Sequence, residues 1–225
     1  MRRLLQRRGL LPSAGPRGEE LTIVPLRRAE PRRAARLLAR VFAADPVLSA
    51  CLGGGRRGAL ARRLFFSEIL AAERAAGHVY AARGRGGLAG VAVWRPPGDG
   101  QARAPTRLRD RVVGAALRGL CPGGARRLSQ GFAAAAALHP AEPHWYLAFV
   151  GVEPNLQRAG VGTLLLAPVL ALADRDRVPC YLETPFPGTH GFYRRLGFQL
   201  VAEIAPFPRA PSVSVMLRAP GTTGS

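Results

Sequence analysis

The sequence predicts an α/β chain (α+β in stricter usage) built as one mixed, mainly antiparallel central sheet flanked by helices. Three observations carry this. Strand-like runs at His78–Ala82 and Leu88–Trp94 are split by the turn Arg83-Gly84-Arg85-Gly86-Gly87, a hairpin pattern. Before them, Ala34, Leu37, Leu38 and Val41 recur at helical spacing. After them, strand and helix patterns alternate from His144 to Leu217.

Taken in order, Met1–Gly18 carries Arg2, Arg3, Arg7, Arg8 and Arg17, no acid, and Pro and Gly breaks. We expect a disordered basic leader over 1–18, one domain over 19–219 and a flexible tail over 220–225. The domain opens with a strand at Leu21–Leu26, and Pro31 starts the first helix. A second helix fits Ala59–Ala76, with Leu60, Leu64, Phe65, Ile69 and Ala72 on one face. Pro96, Pro97 and Gly98 close the hairpin's second strand, and Thr106–Leu138 reads as two helices broken at Pro122-Gly123-Gly124. The aromatic and β-branched run His144–Val152 reads as a buried strand interrupted by Gly151. Such a glycine marks a bulge or a close approach of ligand to backbone. A helix carrying Leu164, Leu165, Val169, Leu170 and Leu172 follows Gly162. Val178–Thr184 is the next strand, Phe192 and Tyr193 sit on a short helix ended by Gly197, and Phe198–Ile204 and Ser212–Leu217 are the last strands.

At 225 residues, 48% hydrophobic and 21% charged, the chain suits a single globular domain. The apolar run Thr163–Ala173 is about half the ~20 residues a membrane helix needs, so no membrane partner is expected. Cys51, Cys121 and Cys180 are isolated and lack metal-ligand spacing, which points to a reducing, cytoplasmic setting without a metal site. The formal charge of +19 comes from Arg alone, since there is no Lys. With Ala, Gly and Pro also abundant, GC-rich codon usage accounts for it more simply than phosphate binding. The excess is also misplaced for a nucleic-acid site at the chemistry-bearing end. Residues 1–143 hold 26 Arg against 9 acids, whereas 144–205 hold 5 of each. A solvated basic surface, and no nucleic-acid partner, is expected.

The chemistry is concentrated between the strand ending at Val152 and the helix after Gly162. Gln157-Arg158-Ala159-Gly160-Val161-Gly162-Thr163 is a glycine-bearing loop running into a helix N-terminus, whose free N–H groups and positive dipole end form a phosphate cradle. It matches neither G-x-x-x-x-G-K-[ST] nor G-x-G-x-x-G, so a P-loop NTPase and a dinucleotide-binding turn are unsupported.

With Gln157, Gly160 and Gly162 in the pattern [QR]-x-x-G-x-[GA], and Phe192-Tyr193-Arg194-Arg195-Leu196-Gly197-Phe198 in the pattern F-Y-x-x-x-G-F, the chain resembles the GNAT superfamily of N-acetyltransferases. The order strand, cofactor loop, helix, strand, tyrosine helix, strand is also that family's. Trp145, Val150-Gly151-Val152 with Pro154, Pro168, and Pro179 before Leu182-Glu183-Thr184 resemble the puromycin N-acetyltransferase-like branch, with weaker echoes in Phe42–Pro46 and Val91–Trp94.

The resemblance implies acetyl-CoA as co-substrate, no metal, and direct attack of an amine on the thioester. Backbone groups of Val150, Gly151 and Val152 would take the pantetheine arm. Gln157, Arg158, Ala159, Gly160, Val161, Gly162 and Thr163 would hold the pyrophosphate, and Tyr193 would act as general acid. Arg158 stands where many relatives have Gly. Phe186 and Thr189 replace an Asn of the branch, leaving Thr189 as the substitute polar contact. Among Glu142, His144, Glu153 and Glu183 no base is assigned, and Cys180 is expected as a buried thiol rather than a nucleophile. The expected acceptor is a small, partly apolar amine, for which the helix Ala59–Ala76 with Phe42, Phe65, Phe66 and Trp94 could form an apolar wall, although Phe65 and Trp94 are expected first of all as core residues. The alternative is a degenerate GNAT fold that binds acyl-CoA without turnover. Nothing in the sequence sets the oligomeric state.

Overall fold

In a computed structural model, residues 13–14, 20–27, 30–76, 78–98 and 116–221 are described. Eight strands form one sheet: β1 (Ser13–Ala14), β2 (Glu20–Pro25), β3 (Val79–Gly84), β4 (Gly87–Arg95), β5 (Trp145–Val152), β6 (Cys180–Thr184), β7 (Gln199–Ile204) and β8 (Val213–Arg218). Their spatial order is β1-β2-β3-β4-β5-β6-β8-β7. Every pairing is antiparallel except β5 with β6, which are joined through a crossover helix as a parallel pair requires. The mixed, mainly antiparallel sheet is therefore as expected. Of the stretch expected as a leader, only Ser13–Ala14 is described, paired with β2. The rest of 1–18, all of 99–115, with the start of the helix expected from Thr106, and the tail beyond 221 lie outside the described residues.

Helices cover both faces, which is why β3 and β4 are almost continuously apolar rather than alternating. On one face, Tyr80, Ala82, Ala92, Trp94 and Leu147 pack with Leu165, Leu166 and Val169 of helix α5 (Val161–Arg175). On the other, Val79, Ala81, Val91 and Val93 pack with Leu37 and Leu38 of α1 (Pro31–Val41) and Phe65, Phe66 and Leu70 of α3 (Gly55–Ala76). Helix α4 (Gly124–Ala136) follows a helical turn at 116–120, so the break at Pro122–Gly124 is where the sequence placed it. The short α6 (His190–Arg195) precedes β7.

Two features differ from expectation. Pro46–Leu52 is a helix, α2, that the apolar spacing did not reveal. Its signal was at its start: Asp45 accepts the Leu48 N–H at 2.8 Å, and Pro46 occupies the first turn. The buried face of α3 is also rotated from the expected one. Leu60 is 46% exposed, while Ala61, Phe65, Phe66 and Leu70 are buried. The cause lies next door, where Gly58 sits so close to Gly53 that a β-carbon would meet its carbonyl oxygen. Arg62 donates to the same oxygen at 2.9 Å.

A bidentate ion pair fixes the ends of three elements to one another. Arg218 of β8 donates to both oxygens of Asp174 on α5 at 2.7 and 2.8 Å, and its Nε to the Leu196 carbonyl at 2.8 Å. One guanidinium thus ties the end of α5, the end of α6 and the last strand together.

Candidate active site

β5 parts from its neighbour halfway along. It pairs with β4 up to Val152↔Gly90, but with β6 only at Trp145↔Cys180, Tyr146↔Tyr181 and Leu147↔Leu182. A register shift at Val93/Trp94 leaves Ala148 as the extra residue of a bulge, which bends the strand at that point. Glu153 donates to the Ala89 carbonyl at 2.9 Å. Hydrogen-bonded pairs alternate along an antiparallel ladder, so Gly151 also faces β4, and the peptide groups of Val150 and Val152 face the opened edge. There the Gln157 side chain donates to the Val152 carbonyl at 3.2 Å.

Gly151 has a different purpose from the one expected. A β-carbon there would lie 2.8 Å from Leu38 Cδ2 and 3.5 Å from Leu37 Cδ2 and Val41 Cγ1. Its smallness admits α1 against the sheet, and it does not line the cavity described below.

The loop after β5 turns twice through the left-handed region, at Arg158 (φ 61°) and Gly160 (φ 81°), before α5 begins at Val161. The loop thus runs directly into the free N–H groups of a 15-residue helix, whose N-terminus is an anion-binding end. The left-handed backbone at Arg158 is one that a glycine would adopt without strain. A β-carbon at Gly160 would meet nothing within 4 Å, so its glycine serves the backbone angle. At Gly162 one would come 3.1 Å from Phe192 Cζ. Gln157, Arg158, Gly160, Gly162 and Thr163 border the cavity; Ala159 does not, and Val161 is turned into the core at 1% exposed.

The cavity measures about 980 Å³ and runs from this loop across the opened edge of β5 to an aromatic lobe. Phe42, Phe65, Phe132, Phe149 and Phe207 line that lobe. Phe66 is instead fully buried in the core, and Trp94 is buried there as expected of it. Tyr193 borders the cavity between Phe192 and Phe198, with ring centroids 5.0 and 5.9 Å away. Its hydroxyl has no hydrogen-bond partner among the described residues, and burial pushes its pKa well above the ordinary phenol value. The Thr189 hydroxyl lines the cavity but gives its proton to the Phe186 carbonyl at 2.7 Å, fixing the turn before α6.

The candidate bases separate cleanly. Glu142 is exposed, and Glu153 is engaged by Arg40. Glu183 alone of the acids on β5 and β6 reaches the cavity, with its side chain 10% exposed and Oε1 3.5 Å from His139 Nε2. His139 Nδ1 lies 2.8 Å from His144 Nε2, and His144 Nδ1 lies 2.8 Å from the Glu142 carbonyl oxygen. His139 carried no sequence signal, since it sits in the link between α4 and β5. Cys180 is fully buried, and burial pushes its thiol up to about 12, which leaves it protonated and unreactive. Among the described residues, no helix is long and apolar enough to cross a membrane.

A model of the acetyltransferase (GNAT) family matches residues 56–198. Solved structures superpose over nearly their whole length. One described as histone acetyltransferase HPA2 and related acetyltransferase, from Corynebacterium glutamicum ATCC 13032, is 26% identical with a TM-score of 0.66, covering 91% of this chain and 99% of that one. Arylalkylamine N-acetyltransferase 2 from Aedes aegypti is 14% identical with a TM-score of 0.62, covering 89% and 99%. An agmatine N-acetyltransferase mutant in its apo form is likewise 14% identical, with a TM-score of 0.56.

Proposed function

The chain belongs to the acetyltransferase (GNAT) family, and on that premise we propose that it transfers the acetyl group of acetyl-CoA to a primary amine of a small molecule by direct attack. The observation that carries this reading is the joining of three parts in one cavity: the open edge of β5, the amide cradle at the start of α5, and the Tyr193 phenol. The fit to the co-substrate is chemical. The outward peptide groups of Val150 and Val152 offer an extended amide-bearing arm a strand to pair with, once Gln157 releases the Val152 carbonyl. The amides of Arg158 to Thr163 offer a diphosphate several N–H donors and a positive dipole end. Ala159 and Val161 take part through their amides alone, and Gly151 by letting α1 pack against the strand. Bound there, acetyl-CoA supplies an activated acyl carbon. Tyr193, kept protonated by burial, gives its proton to the departing sulfur.

We assign the chain to the puromycin N-acetyltransferase-like branch on Trp145, Pro168, Pro179 and Leu182-Glu183-Thr184. The setting that fits its unpaired cysteines is the cytoplasm. The test is CoA release from acetyl-CoA across a panel of arylalkylamines, polyamines and lysine peptides. Release with an amine but not without one supports the reading. Thermal stabilisation by acetyl-CoA with no release under any amine would replace it by the alternative of a binding-only fold.

A further inference from the structure

A primary amine is almost entirely protonated at neutral pH, with a pKa near ~10, and an ammonium has no lone pair with which to attack. The site therefore needs somewhere to put one proton. We propose that Glu183 and His139 together form that acceptor, Glu183 as general base at the cavity wall and His139 as the positioning residue that shares its proton. The inference rests on the acetyltransferase reading above.

The chain of hydrogen bonds behind Glu183 ends on an atom that cannot carry a hydrogen. The Glu142 carbonyl only accepts, so the nitrogen 2.8 Å from it, His144 Nδ1, is the protonated one. In neutral His144 the other nitrogen, Nε2, is then an acceptor, and burial holds this imidazole below its ordinary pKa. Its neighbour at 2.8 Å, His139 Nδ1, must be the donor. That leaves Nε2 of neutral His139 without a proton, and it is this bare nitrogen that lies 3.5 Å from Glu183 Oε1. Oε1 itself is buried and makes no hydrogen bond among the described residues. A lone pair faces a carboxylate oxygen across a gap that one proton would close. The chain of carbonyl, His144 and His139 is thus set in the tautomer that receives.

The remaining groups on this face do not fill the role. Tyr146 and Tyr181 lie on the same face beside Glu183, and burial first, then the Glu183 charge and a side-chain hydrogen bond to Glu183, raises both phenols, so they stay neutral and act toward the carboxylate as donors, not acceptors. Arg95 stacks 5.6 Å from the Tyr146 ring and is paired with Glu73. Opposite Glu183 on β8 is Val215. The bookkeeping of the step balances. The ammonium gives one proton to the Glu183–His139 pair. The freed nitrogen lone pair forms the C–N bond at the acyl carbon, and the C–S electron pair leaves with sulfur. Sulfur takes a proton from Tyr193, and the second nitrogen proton restores the phenol. The pair returns its proton to water when the product leaves.

Two measurements on the full chain test this. In the first, nitrogen-15 histidine spectra are followed against pH without any substrate. Near neutral pH the His139 resonances should report a proton on Nδ1 and a bare Nε2, and Glu183→Gln, which puts an amide in place of the facing carboxylate, should shift the Nε2 resonance. A proton found on Nε2 in the neutral ring, or an Nε2 resonance unmoved in folded Glu183→Gln protein, overturns the shared proton whether or not the chain is an enzyme. In the second, kcat/KM is followed against pH with the best amine found. Wild-type activity should fall on the acid side as solvent fills the pair beforehand. Glu183→Gln should lose ~10²-fold or more, and His139→Asn should move the acid limb downward while retaining acetyl-CoA binding. If Glu183→Gln keeps the wild-type rate and limb, the base assignment falls and the acetyltransferase reading stands. If wild type releases no CoA with any amine, that reading falls and the spectra alone decide the pair.

Discussion

Gly162, in the first turn of α5, lies against the ring of Phe192, so that a β-carbon there would come 3.1 Å from its Cζ. The contact couples the cradle to the helix carrying Tyr193, because α6 can approach only as closely as Gly162 permits. Gly162→Val should therefore destabilise the fold by ~1–3 kcal/mol through overpacking. Phe192→Leu in the same chain should recover about half of that in urea unfolding. Gly160→Ala should cost ~1–2 kcal/mol from its φ of 81°, with no recovery from Phe192→Leu. Equal recovery for both would show that the ring is not what Gly162 accommodates.

Tyr193→Phe separates acid catalysis from packing. The ring contacts to Phe192 and Phe198 survive the change, and only the buried hydroxyl goes. We expect kcat to drop ~10²-fold or more, with acetyl-CoA affinity by calorimetry near wild type. An unchanged kcat would reduce Tyr193 to a core residue.

The Arg218–Asp174 pair makes a pH prediction. Arg218's hydrogen bonds hold the Asp174 carboxyl below its ordinary value. A depressed folded pKa means that the pair's stabilisation is fully present above the ordinary carboxylate range, near ~4, and is lost as pH falls through the lower folded value. Arg218→Gln should lower stability by ~1–3 kcal/mol at neutral pH and flatten the decline of Tm below pH ~4. A variant whose Tm declines with acid as steeply as wild type would remove Asp174 from the acid transition.

Motif-bearing parts of the site were legible because their chemistry is local. Gly160 and the loop before α5 need only backbone angles and helix-end amides, and Tyr193 sits in a pattern seven residues long. What stayed hidden depends on the third dimension. Gly151 looked like a ligand contact because nothing in the chain announces that Leu38 packs on it. Glu183 looked structural because its partner, His139, is 44 residues away along the chain, between elements whose pairing brings them together. Helix α2 was missed for a different reason: its seven residues are too few for periodicity, so only the Asp45-Pro46 start could have revealed it.

The aromatic lobe makes the last prediction. Phe42 and Phe65 cross Phe149 edge-on at 5.6 and 6.0 Å, and Phe132 stacks on Phe65 at 6.3 Å while remaining 44% exposed. A pocket of this kind contributes through apolar burial, so it favours an amine with a compact hydrophobic body over an extended polar one. The formal charge of +19 acts in the same direction, since polyamines and lysine-rich tails are repelled on approach at low salt. We expect kcat/KM for arylalkylamines to exceed that for spermidine and for lysine peptides by tenfold or more, ~1.4 kcal/mol in transition-state stabilisation. Phe132→Ser should shrink the arylalkylamine advantage without altering acetyl-CoA binding, because Phe132 stands in the lobe and away from the cradle. Raising salt separates the two contributions. Charge repulsion is screened and the polyamine penalty should diminish, whereas the preference set by the phenylalanines should persist. If peptides or spermidine win by tenfold, the lobe is not the acceptor site, and the amine enters from another side of the cavity.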